Sequence, residues 1–351
     1  MQSSAHQLHG LGQSVWLDFI RRGHLLSGDF DRDVRDSGVV GVTSNPTIFQ
    51  QAIAGSADYD AALSEVAARG LEGEALFEAV AIEDIRMACD RLRPVFDRSQ
   101  GLDGRVSLEV SPRLARDTAG TIAAAQRLHA AVGRPNVMIK IPATREGLAA
   151  ITATLAAGIS VNVTLIFSLA RYREVIDAWL AGLERHAATG GNLAALPAAA
   201  AERAELESLR GRAAVANARL AYEVFEQAVA TPRFRDLSSR GANVQRPLWA
   251  STSTKNPAYR DVVYVEELIG PDTVNTMPPA TLTAFNDQGR VETRIRHDLP
   301  GARAVFARLT ELGVAVDALI SELEPEGVRA FARSFDDLLA TLETRRRELL
   351  A

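Results

Sequence analysis

Short apolar, β-branched runs alternate along this chain with longer stretches whose apolar positions recur every three to four residues. The runs at 15–19, 39–43, 105–110, 137–141, 160–166, 246–251 and 273–277 have the length and the valine and isoleucine content of buried strands. Between them, 61–68, 114–132, 171–186 and 206–230 carry helical periodicity. Repeated strand–helix alternation predicts a parallel sheet covered by helices. No Gly-x-Gly-x-x-Gly run follows the first strand, and the strand count approaches eight. The pattern therefore predicts an α/β chain folded as a (β/α)8 TIM barrel rather than a doubly wound sheet. A single domain over 1–351 is expected. The surplus over the ~250 residues typical of such barrels would form extra helices at 59–95 and in a tail at 324–350.

Composition narrows the chemistry. The net charge is −5 and no basic arm or stripe offers a footprint for nucleic acid. No apolar run approaches the ~20 residues that span a bilayer, and residues 1–10 lack a signal-peptide core. The single cysteine, Cys89, sits in a helical context and suits a reducing compartment, so a cytoplasmic protein is expected. The six histidines are scattered without metal-ligand spacing, and there is no glycine-rich phosphate loop. These features predict no metal, no cofactor, and no nucleic-acid or membrane partner.

Lysine usage is the sharpest compositional signal. All but two of the 39 basic residues are arginine; the exceptions are Lys140 and Lys255. Where an ordinary surface cation is written as arginine, a retained lysine points to a need for an amine. Arginine is always charged and cannot act as a nucleophile, whereas a desolvated lysine can. Lys140 lies in the apolar run Val137-Met138-Ile139-Lys140-Ile141, the setting expected of a Schiff-base former.

Several other predicted strands end in polar residues, where the active sites of such barrels lie. Asp18 ends Val15-Trp16-Leu17-Asp18, Asn45 follows Val42-Thr43-Ser44, and Glu109 lies in Val106-Ser107-Leu108-Glu109-Val110. Asn162 and Thr164 share a face of Val161-Asn162-Val163-Thr164-Leu165, because side chains alternate with period two. Each has a plainer reading. Asp18 could cap a following helix, Asn45-Pro46 could be only a turn, Glu109 could pair with Arg105 or Arg113, and Thr164 could serve β-propensity alone.

Together these residues carry a resemblance. The runs Gly41-Val42-Thr43-Ser44-Asn45-Pro46-Thr47, Ile139-Lys140-Ile141-Pro142-Ala143-Thr144 and Val161-Asn162-Val163-Thr164-Leu165-Ile166-Phe167-Ser168 resemble transaldolase. So do Arg246-Pro247-Leu248-Trp249-Ala250-Ser251-Thr252, Lys255-Asn256-Pro257 and Val274-Asn275-Thr276-Met277-Pro278. The chain is most similar to the longer actinobacterial-type branch, over roughly 15–182 and 210–339. The resemblance implies a barrel of the class I aldolase type and a metal-free transferase of carbohydrate metabolism. It would pass a dihydroxyacetone unit between sugar phosphates of the pentose phosphate pathway. Lys140 would form the imine and Asp18 would take the C4 hydroxyl proton. Glu109 and Thr164 would hold a water that shuttles protons. Asn45, Asn162 and Ser251 would bind the substrate, and Lys255 would contact its phosphate.

One departure stands out. The family's sixth strand, which supplies a serine and an arginine for the substrate phosphate, has no evident counterpart. From 177 to 214 the only β-branched residue is Thr189, and the stretch is rich in alanine and glycine. Such composition favours loop and helix. The barrel is thus expected to lack or to replace one strand, with 193–200 as the only filler. Three readings stay open: an active transaldolase, a paralogue with little turnover that serves as a scaffold, and an aldolase acting on a different or unphosphorylated ketose.

Overall fold

The computed structural model describes residues 3–202, 212–254, 256 and 259–350. Eight parallel strands close into a barrel in chain order: β1 (Gln13–Leu17), β2 (Gly41–Thr43), β3 (Arg105–Glu109), β4 (Val137–Pro142), β5 (Val161–Ile166), β6 (Ala198–Glu202), β7 (Gln245–Trp249) and β8 (Thr273–Met277). β8 returns to pair with β1, from Gln13 opposite Thr273 to Leu17 opposite Met277.

The period of two sorts the strand residues. Val15, Leu17, Ile139, Ile141, Val161 and Val163 face outward into the main apolar core, which runs under the helices from Ala5 to Leu342. Trp16, Met138, Ala199, Leu248 and Val274 meet in a separate cluster inside the barrel. Gly41 makes room for the indole, because a Cβ there would lie 2.4 Å from the Trp16 ring nitrogen. Below this plug the floor is polar and largely buried. Arg246 donates to Ser14 and Asp103, and Arg105 donates to Ser160. The lumen is packed and blocked at that end, so only the C-terminal mouth offers a site.

The sixth strand corrects the expectation of a missing one. Ala198–Glu202 pairs along its whole length with β7, from Ala198 opposite Gln245 to Glu202 opposite Trp249. It also pairs with β5, through Asn162 opposite Ala199 and Val163 opposite Ala200, with a register shift before Ile166 meets Glu202. The physical reason is the ladder. Without a strand here β5 and β7 would each leave a row of buried backbone donors and acceptors unmet. That requirement outweighs the weak strand preference of alanine. Ala199 also has the size that its place against Trp16 and Leu248 permits.

The extra helices fall near their expected places, at Asp60–Ala68 and Gly73–Arg98 between β2 and β3. The tail is one helix, Val316–Leu350, longer than expected and with Pro325 inside it. It packs on the helix Pro46–Ala54 that follows β2 and reaches β5, so it crosses the barrel mouth. The inserted helices brace the loop that follows β1. Arg22, four residues after Asp18, donates to Asp84 at 2.8 Å and to Glu83 at 2.7 Å. Tyr59 donates to Asp84 at 2.9 Å and accepts from the Arg22 amide. Burial pushes the Asp84 carboxyl up to about 6, against the opposing pull of Arg22.

Two outcomes are expected. Ala199→Leu overfills the interior cluster and should lower the unfolding free energy by about 1–3 kcal/mol, read from denaturant midpoints at constant slope. Asp84 carries a raised pKa, so it takes up a proton on folding between roughly pH 4 and 6. Its contribution to stability is full below that window and falls as pH rises through it. Asp84→Asn cannot titrate, so its stability relative to the parent should rise from pH 4 to pH 7, as the parent loses the stability tied to its protonated carboxyl. A relative stability that falls with pH would contradict the raised carboxyl.

Candidate active site

The strand register assembles the site. Glu109 at the end of β3 stands opposite Lys140 of β4, which stands opposite Asn162 of β5. Neighbours in register on adjacent parallel strands point to the same side, so all three enter the lumen at one level, above Met138 and Ser107. The Lys140 Nζ lies 3.1 Å from Glu109 Oε2 and 3.4 Å from the Ser44 carbonyl oxygen. Lys140 is only 6% exposed, so its amine is both out of bulk water and held beside a carboxylate. The Asn162 amide donates to Ser107 Oγ at 3.0 Å. Its Oδ1 is buried with no hydrogen-bond partner among the described residues, a vacancy that fits a ligand hydroxyl.

The other expected residues are placed less uniformly. Asp18 follows β1 directly and its backbone N–H bonds the Met277 carbonyl. Its carboxylate accepts a hydrogen bond from the Ser251 hydroxyl. Ser251 has a φ of 51° after β7, uncommon for a residue with a side chain, and its amide donates to Thr276 Oγ1 at 3.0 Å. This turned backbone brings the β1 and β7 ends together. Thr164 is buried two residues above Asn162 on the same face of β5, in register with Pro142. Asn45 is the N-cap of Pro46–Ala54, its Oδ1 accepting from the Ile48 amide at 2.9 Å. Its capping role accounts for one end of the side chain. Asn45 and Glu109 also border a cavity of about 20 Å³, room for about one water. Lys255 lies outside the described residues.

Three contributors have weak or no sequence signals. Ser107 orients Asn162, and its position two before Glu109 on one strand face could have marked it. Ser44 offers its carbonyl to the lysine and bonds the Ser107 carbonyl through its hydroxyl at 2.7 Å; it lies within a motif already singled out. Phe331, on the C-terminal helix, places its ring centroid 5.6 Å from Lys140 Nζ. Nothing local announces that contact, because the partners are far apart in sequence.

A parallel barrel whose mouth holds a buried primary amine against a carboxylate and in register with an amide, with a second carboxylate at the end of another strand, has the groups for carbonyl chemistry through an imine. Among the described residues no group of three His, Cys, Asp or Glu is arranged to hold a metal ion, and no helix is long and apolar enough to cross a membrane. The family described as Transaldolase/Fructose-6-phosphate aldolase matches residues 15–342, and the chain belongs to it. A protein named Transaldolase from Parafrankia sp. (strain EAN1pec) is 50% identical, covering 97% of this chain and 98% of that protein. Transaldolase 1 of Streptomyces coelicolor is 50% identical over 94% of this chain and 92% of its own. A Thermobifida fusca transaldolase is 48% identical over 97% of each.

Proposed function

We propose that this enzyme, a transaldolase, passes a dihydroxyacetone unit from a ketose phosphate to an aldose phosphate through an imine on Lys140. The natural pairs on this reading are sedoheptulose 7-phosphate with glyceraldehyde 3-phosphate and fructose 6-phosphate with erythrose 4-phosphate, within the pentose phosphate pathway. The transaldolase class rests on the family and on relatives matched over nearly their whole length. The residue roles rest on one observation above all, the buried Lys140 amine held 3.1 Å from Glu109.

The chemistry runs as follows. Lys140 gives a proton to Glu109, its freed nitrogen adds to the ketose C2 carbonyl, and a proton moves from nitrogen to oxygen to give a carbinolamine. Glu109 returns its proton to the departing hydroxyl, through a water bound with Thr164, so that water leaves and an iminium forms. Asp18 takes the proton of the C4 hydroxyl, the C3–C4 bond breaks, and its electron pair moves into the iminium. The aldehyde leaves and an enamine stays on Lys140. Asn45, Asn162 and Ser251 hold the hydroxyls of the three-carbon unit, the unfilled Asn162 Oδ1 being the best-placed acceptor. An incoming aldehyde reverses the steps. No metal is needed, because the iminium supplies the electron sink. A cytoplasmic setting belongs to the same reading, supported by a single buried and unpaired cysteine.

The phosphate end is the part of the reading that departs from the family pattern. The described sixth strand is Ala198–Glu202 and carries no arginine, and Lys255 remains the expected contact after β7. This supports a second possibility, preference for an unphosphorylated or different ketose.

Two experiments divide these readings. Borohydride reduction in the presence of fructose 6-phosphate should add one sugar fragment at Lys140, seen by peptide mass, and Lys140→Arg should abolish it. Label on Lys255, or label that survives in the variant, would refute the assignment. Loss of a charged hydrogen bond to phosphate costs about 1.5–3 kcal/mol, roughly ten- to a hundredfold in affinity. So KM for sugar phosphates should be high and the preference over unphosphorylated ketoses small. Strong phosphate selectivity at micromolar KM would contradict the weakened phosphate site.

A further inference from the structure

The family description names both a transferase and an aldolase, and the two differ in one step. Once the aldehyde has left, the enamine either waits for an acceptor or is hydrolysed. In hydrolysis C3 takes a proton, water adds to C2 of the iminium, and the C2–N bond breaks. The electron pair returns to the Lys140 nitrogen and free dihydroxyacetone departs. Which path wins depends on whether water reaches C2. Exclusion of water from a site prevents this class of side reaction.

The Lys140 amine is covered by a part of the chain that no barrel strand or barrel loop supplies. Phe331 of the helix Val316–Leu350 faces it at 5.6 Å. The ring belongs to an apolar cluster with Leu165, Phe167, Ile320 and Val328 at the end of β5. The seating is specific. Gly327 is buried against Leu165, and a Cβ there would lie 2.9 Å from Leu165 Cδ2. Leu165 itself takes a φ of 60°, a costly conformation for a branched residue that the surroundings must hold in place. Segments that follow β2, β3 and β5 tie the helix down: Thr47 to Ser334 at 2.9 Å, Arg113 to Asp336 at 2.6 Å, and Arg116 and Arg171 to Glu324 at 3.2 Å each.

We propose that Phe331 is a specificity-determining residue, an apolar shield that keeps water from the iminium carbon and so makes this chain a transferase rather than an aldolase. This inference rests on Lys140 as the imine-forming residue. The shield has to open for a sugar to enter, and its attachment permits that. The half of the helix that begins at Val316 borders an open groove of about 760 Å³, whereas Phe335, Leu338 and Leu342 anchor the other half in the main core. The tying ion pairs with Arg113 and Arg116 are more than half exposed on the arginine side, so each contributes little to holding the cover shut.

The test is donor turnover without an acceptor. With fructose 6-phosphate alone, the parent enzyme should release about one glyceraldehyde 3-phosphate per active site and then slow sharply. Phe331→Ala should sustain release of dihydroxyacetone, faster by roughly tenfold or more, and Phe331→Leu should fall between. Gly327→Val lifts the helix from Leu165 without touching Phe331 and should also raise release. Arg329→Ala, exposed on the same helix, should change neither rate. Borohydride trapping at Lys140 is followed in every variant. Normal trapping with unchanged release in both Phe331→Ala and Gly327→Val overturns the shield. Absence of trapping at Lys140 in the parent overturns the imine assignment beneath it.

Discussion

Taking an ammonium and a carboxylate out of water costs several kcal/mol per ion even after relaxation, and their attraction offsets this only when the geometry is good. The Lys140–Glu109 pair lies at the barrel mouth under that constraint, and its surroundings read as the means of meeting it. Adjacent parallel strands set the two side chains in register. The Ser44 carbonyl takes up part of the ammonium's remaining hydrogen-bonding capacity. Phe331 supplies a ring near the cation, a contact that is favourable when desolvated. Because the pair is costly to keep, its presence at the one open end of the barrel speaks for function rather than stability.

The pair's position depends in turn on closure of the ladder eight strands around. β6 completes the path from β5 to β7. Four alanines and a glutamate suffice because backbone bonding, not side-chain preference, decides whether a gap between two buried edges is filled. The interior cluster then limits what that strand can carry. Ala199 is buried there with Trp16 and Leu248. The described strand, Ala198–Glu202, carries no arginine.

Much of this was legible in the sequence. Seven strands, the barrel and the approach of Lys140, Glu109 and Asn162 follow from short β-branched runs with period two and from motifs of several consecutive residues. β6 was not legible, because its formation is a property of its neighbours' unmet backbone groups. Asn45 was legible only in part: its Oδ1 serves the helix behind it as a cap, a local role that a strand–Asn–Pro pattern contains equally well. Phe331 could not be read at all. Its contact with Lys140 arises from how a long tail helix crosses the mouth, and helical periodicity gives the tail's existence without its destination. Its docking is visible afterwards in Gly327, a glycine inside a helix that would otherwise weaken it.

On the proposed mechanism the buried amine of Lys140 becomes the covalent anchor of the transferred unit beneath the Phe331 ring. A crystal structure of the enzyme frozen after borohydride reduction with its ketose donor addresses both parts at once. Continuous density is expected from Lys140 Nζ to C2 of the sugar, with a hydroxyl within hydrogen-bond distance of Asn162 Oδ1 and Phe331 closed over the junction. Density for an unattached sugar, or attachment at any other amine, would contradict it.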